Sequence, residues 1–229
     1  ISEAEHHANI VPWQLLGEAT GSKLKVIPVD QDGNISIDTF QSMLTNKTKL
    51  VAVTHMSNVL GTIVPVRQIV ELAHANGTAV MIDGAQGVVH SKVDVQELGA
   101  DFYVFTGHKL YGPSGVGVLY GKKELLNKMP PYEGGGDMIE IVTFEKSTYR
   151  DAPTKFEAGT PPIVEAVGLA GAIEYIENIG QENIAIHEDN LLKFATSELQ
   201  KIPGLSIFGL SEKKAGIISF NVEGIHSHD

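Results

Sequence analysis

Hydrophobic residues along this chain fall in short unbroken runs separated by amphipathic stretches. Residues 50–54 (Leu-Val-Ala-Val-Thr), 78–83 (Thr-Ala-Val-Met-Ile-Asp) and 102–105 (Phe-Tyr-Val-Phe) are apolar at nearly every position, the pattern of strands covered on both faces of a parallel sheet. Residues 24–29 read as a further strand. Between the strands, 65–76 carries Ile69, Val70, Leu72 and Ala73 for a sheet-facing side, starts at Pro65 and is followed by Gly77. Those are helix start and stop signals. Asp38 is placed to cap a helix reaching Leu44, and 93–98 supplies another element before the strand at 101–105.

This alternation predicts an α/β fold: a mostly parallel sheet flanked by helices and joined by right-handed crossovers. Residues 116–120 form a further apolar strand, 122–128 a short helix and 130–139 a glycine-rich loop. Two long helices, 163–179 and 181–200, lead to strands at 205–208 and 217–222, the start of a smaller α+β unit. The expected division is a large domain over 1–160, then a linking helix and partial small domain over 161–229.

The candidate chemistry sits where these strands end. The strand at 102–105 stops at Thr106-Gly107 and presents His108 and Lys109 before Gly112, Pro113, Gly115 and Gly117 turn the chain back. An ordinary lysine amine has a pKa of about 10.4 and is rarely a free nucleophile at neutral pH. Imine formation is the usual reason to place one at a strand exit; the alternative is a surface lysine in a hairpin. The strand at 78–83 ends in Asp83, followed by Gly84-Ala85-Gln86-Gly87. A carboxylate and a lysine at successive strand exits suit pyridoxal 5'-phosphate, whose ring nitrogen needs a counter-charge and whose aldehyde needs an amine. Asn58, in the polar loop after 50–54, reaches the same edge, where open α/β sheets bind ligands.

The adjacent His6 and His7 invite a metal reading, but neighbours point to different faces and no third ligand sits at useful spacing. An imidazole stacked on a cofactor ring is more economical, and no metal is expected. Gly134, Gly135 and Gly136 suit either an anion or a flexible connector. Thr160, before Pro161, suits either a helix cap or a phosphate at a helix terminus.

Composition narrows the partners. The 229 residues carry a net charge of −11 and a pI near 5.2, which argues against nucleic acid or an anionic membrane surface as partner. With no cysteine, disulfides and thiolate metal sites are excluded. No apolar run approaches the ~20 residues of a membrane span, so a cytoplasmic location is the expectation. Serine-nucleophile, Walker, dinucleotide and HExxH signatures are missing. The chain opens inside motif residues and stops just past a strand, and is expected to be a fragment.

Taken together, EHHANIVPW, THMSNVLGT, IDGAQ, FTGHKLYGPSGVGVLYG, PYEGGGDMI and FEAGTP resemble the class-V aminotransferase branch of fold-type-I pyridoxal-phosphate enzymes, more narrowly the SUF-type cysteine desulfurases. The resemblance implies that Lys109 anchors the cofactor and moves a proton, Asp83 pairs with the pyridine nitrogen, and Gln86 and Asn58 contact the ring oxygen. It implies that His6 stacks on the ring, Thr106 and His108 bind phosphate, and Thr160 reaches the cofactor of a partner subunit in a homodimer. The implied reaction converts L-cysteine (or L-selenocysteine) to alanine and passes sulfur, as persulfide, to a sulfur-acceptor protein for iron–sulfur cluster assembly. The family's nucleophilic cysteine and substrate-carboxylate arginine lie further along than this chain runs, so the fragment itself is expected to be incompetent. The rivals are another class-V aminotransferase, a kynureninase-like lyase, an epimerase and a non-catalytic dimerising scaffold.

Overall fold

A computed structural model describes residues 1–228. A 3₁₀ turn at His7–Asn9 leads into α1 (Val11–Thr20) and then α2 (Ile37–Met43). The central sheet and its crossovers follow: β1 (Leu50–Thr54), α3 (Val66–Ala75), β2 (Ala79–Asp83), the short helices α4 (Gly87–His90) and α5 (Val95–Leu98), β3 (Phe102–Thr106) and β4 (Gly117–Gly121). After α6 (Lys123–Leu126) come a hairpin, β5 (Ile139–Val142) and β6 (Ser147–Tyr149), the long helices α7 (Ile163–Ile179) and α8 (Gln181–Leu199), and a second hairpin, β7 (Leu205–Phe208) and β8 (Ser219–Val222). No helix among the described residues is long and apolar enough to cross a membrane.

The four-stranded sheet has the order β1-β2-β3-β4. The first three strands are parallel and β4 is antiparallel to β3, so the sheet is mostly parallel. Successive side chains of a strand point to opposite faces. Val51, Val53, Val80, Ile82 and Tyr103 therefore share one face, where they form the core with Ile69, Val70 and Ala73 of α3. Burying each such aliphatic side chain contributes about 1.5–3 kcal/mol. Thr54, Asp83 and Val104 are register partners on the other face.

Helix α3 matches its sequence signals: Pro65 precedes it, and Gly77 beyond its end takes a left-handed φ of 72°. Its Leu72 is only half-buried, whereas Val66, Ile69, Val70 and Ala73 are buried, the i, i+3, i+4, i+7 stripe of an amphipathic helix. Other expectations need correction. Helix α2 is capped by Ser36, whose side chain accepts from Thr39 N, and Asp38 sits in the first turn. Residues 24–29 form no strand, because the segment meets a partner only at two isolated bridges, Ile27 with Ser2 and Val29 with Ile35. Residues 139–149, to which the sequence assigned no strand, contain the β5–β6 hairpin.

Asp101 ties the layers together at the start of β3. Its carboxylate is buried and accepts from Val80 N at 2.7 Å, His74 Nε2 at 2.8 Å and Lys122 Nζ at 2.7 Å. Burial pushes its carboxyl up, but the bonds from Lys122, His74 and Val80 outweigh this and hold it below the ordinary carboxylate range. A depressed pKa means stability that is present above the unfolded value and lost as pH falls through the folded one. Asp101→Asn should therefore cost about 2 kcal/mol at neutral pH, with the gap to wild type narrowing as pH drops below about 5. Urea unfolding at a series of pH values checks this; a pH-independent gap would contradict it.

Candidate active site

A cavity of about 510 Å³ opens at the C-terminal ends of β1, β2 and β3, within the range of small-molecule sites. His6, Asn58, Asp83, Gln86, Thr106, His108 and Lys109 all line it. Seven of the eight residues singled out from sequence are thus brought to one place. Thr160 is exposed and outside that lining. Nor does it cap α7, which has Pro162 at its N-cap and no side-chain cap bond.

Each side chain arrives by a simple local device. Asp83 ends β2 on the face shared with Thr54 and Val104. Its Oδ1 accepts from Ala85 N at 3.0 Å, which leaves Oδ2 for the cavity. Lys109 ends the 3₁₀ turn Gly107–Lys109 that follows β3, with Leu110 buried beyond it. Lys109 is half-buried, and none of the ion pairs among the described residues uses it. Thr106 Oγ1 lies 2.9 Å from His108 Nδ1, a hydroxyl and an imidazole side by side at the strand end. Asn58 sits in a loop closed by Ser57 N to Thr62 O (3.0 Å) and by Ser57 Oγ, which accepts from Leu60 N at 3.1 Å.

His6 is the N-cap of the His7–Asn9 turn, and its Nδ1 accepts from Ala8 N at 3.1 Å. With Nδ1 used as an acceptor, a neutral ring carries its proton on Nε2. His7 is turned from His6 by 39° between ring planes and is not among the lining residues.

Sequence reasoning missed three residues that shape this site. Under the Gly84–Gly87 loop, His55 Nδ1 lies 2.9 Å from Tyr103 Oη, the two rings packed edge to face. A Cβ on Gly84 would fall inside the Tyr103 ring, and one on Gly87 would press on the His55 ring. Gly84 and Gly87 are therefore required by close approach, and their spacing was the available signal. Burial lowers the His55 pKa, which favours the neutral ring. Burial and the Asp83 charge push the Tyr103 phenol well above its ordinary range. The third residue is Glu5, whose carboxyl burial pushes above its ordinary range against the pull of four donor bonds.

A lysine and an aspartate are thus delivered to one cavity from adjacent parallel strands, the pairing that a pyridoxal-phosphate-dependent transferase requires. The model of the class-V aminotransferase family matches residues 1–229, and the chain belongs to that family. It is 53% identical over 224 residues (98% of this chain, 33% of the relative) to a probable cysteine desulfurase of Mycolicibacterium paratuberculosis. It superposes on the crystal structure of the cysteine desulfurase CsdA of Escherichia coli with a TM-score of 0.93 at 40% identity, covering 100% of this chain and 57% of that one. A structure of C-DES with glycine covalently linked to its PLP cofactor gives 0.87 at 25% identity, over 97% and 60% of the two chains. The chain thus spans between a third and three-fifths of the length of these relatives.

Proposed function

We propose that this polypeptide is the central part of a pyridoxal-phosphate-dependent cysteine desulfurase. The observation that carries the reading is the meeting of Lys109 and Asp83 in one cavity on a chain whose relatives are named cysteine desulfurases. The donor set fits the cofactor: a primary amine for its aldehyde, a carboxylate for its basic ring nitrogen, a flat imidazole for its ring, and a hydroxyl and imidazole for its phosphate. Once bound, pyridoxal phosphate supplies an electron sink for the carbon next to the substrate's amine.

Lys109 Nζ would hold the aldehyde of the bound cofactor, and as a primary amine lining the cavity it can also carry a proton. Asp83 keeps the pyridine nitrogen protonated. Gln86 and Asn58 orient the ring oxygen, His6 covers the ring face, and Thr106 and His108 hold the phosphate. L-Cysteine, or L-selenocysteine, is the substrate and alanine the product. The thiol that takes the sulfur as persulfide is not in this stretch, which has no cysteine; a sulfur-acceptor protein then draws it toward iron–sulfur assembly in the cytoplasm. Thr160, exposed and away from the cavity, serves the phosphate of a second copy's cofactor in a homodimer.

The test is covalent trapping. After purification with pyridoxal phosphate and borohydride reduction, peptide mapping should place a single adduct on Lys109. An adduct on another lysine, or none, would overturn the assignment.

A further inference from the structure

We propose that Glu5 is the positioning residue for His6, locking the imidazole to the end of β1 and so setting how it covers the cavity. The inference rests on the cofactor reading above.

Glu5 is 8% exposed, and the ion pairs among the described residues give it no cation. A buried charge without such a partner is costly unless donors converge on it. Here four do. Oε1 accepts from Thr54 N at 3.1 Å, Ser2 N at 3.2 Å and Ser2 Oγ. Oε2 accepts from Asn9 Nδ2 at 2.7 Å, and Asn9 Oδ1 in turn accepts from Trp13 Nε1 at 2.8 Å.

The geometry makes this more than a staple of the fold. Thr54 is the last residue of β1, a strand at the sheet's edge, so its N–H toward that edge has no ladder partner. Glu5 supplies one. The same carboxylate grips Asn9, so both ends of the short segment 5–9 are fixed to one point on the sheet. His6 lies within that segment, and Thr54, His6 and Asn9 all line the cavity. The His6 ring is itself exposed, so its placement rests on the anchored backbone of 5–9 and on the Ala8 N–H bond to Nδ1.

A double-mutant cycle on the full-length polypeptide tests this. Pyridoxal-phosphate affinity and the circular dichroism of the bound cofactor would be measured for wild type, Glu5→Ala, His6→Ala and the double variant. His6→Ala should weaken binding by about ten-fold, the scale of a lost stacking contact. Glu5→Ala should weaken it comparably, and the double variant should be no worse than His6→Ala. Fully additive losses, or a Glu5→Ala protein whose cofactor signal is unchanged while only its thermal midpoint falls, would overturn the proposal. Hydrogen exchange without cofactor separates this from a failure of the cofactor reading. Glu5→Ala should speed exchange at Ala8 N–H relative to the β2 amides; unchanged protection would sink the positioning role even if wild type bound no cofactor.

Discussion

Lys109→Ala, in the longer protein of which this chain is proposed to be the central part, is expected to lower the proposed desulfurase turnover by about 10³-fold or more, with unfolding free energy within about 1 kcal/mol of wild type. The two halves of that expectation come from different parts of the structure. Lys109 is half-buried at the end of its turn and free of ion pairs among the described residues, so truncating it removes an amine and little packing. The turn itself is held by Leu110, which is buried, and by Leu110 N and Gly112 N, which both bond to Gly107 O at 2.9 Å. Lys109→Arg is the informative companion. It keeps a positive charge but offers a guanidinium that does not form the covalent link, so it should be as inactive as the alanine variant. An active Lys109→Arg protein would reduce the residue to a point charge.

Gly84→Ala is expected to cost about 3 kcal/mol of stability, an overpacking penalty, and to weaken cofactor binding at the same time. The added methyl would overlap the Tyr103 ring, which is buried in the core at 1% exposure and has no free direction in which to move. The loop must then rise, carrying Asp83 just before it and Gln86 within it out of place. Tyr103→Ala should relieve the clash: in that background Gly84→Ala should cost well under half as much, a coupling that only contacting residues show. Additive losses in urea unfolding would mean that the loop does not rest on the ring.

The parts of the fold that could be read from sequence are those whose burial is encoded locally. Strands β1, β2 and β3 announce themselves because they are apolar at nearly every position, one face packed into the core and the other no more than half-exposed around the cavity, and α7 and α8 because their length and boundaries are unambiguous. Residues 24–29 are as apolar as a strand, yet Leu24 and Val26 are exposed and the segment lacks a continuous neighbour; pairing is a tertiary property that composition does not carry. Helix α1 was hidden for a related reason. Its apolar Val11, Leu15 and Leu16 are exposed, and Pro12 in its first turn resembles a break unless one knows that a helix starts there. The cap of α2 was expected at Asp38, but it is Ser36, two residues earlier, whose side chain accepts from Thr39 N.

The cavity was legible to the extent that its residues stand at strand exits, where chemistry gathers in this architecture. Glu5, His55 and Tyr103 were not, because each acts through what it supports. In the sequence Glu5 is one more acidic residue beside two histidines. Its burial, and the four donors around it, exist only once the chain is folded.

The two-residue repeat of the sheet's side chains carries a last consequence. Ile82 faces α3 while Asp83 faces the cavity, so removing a single residue from within 79–83 would exchange their sides. It would bury a carboxylate among valines and leave an isoleucine opposite the amine. Homologous chains should therefore keep the length of β2 fixed even where its individual apolar residues drift.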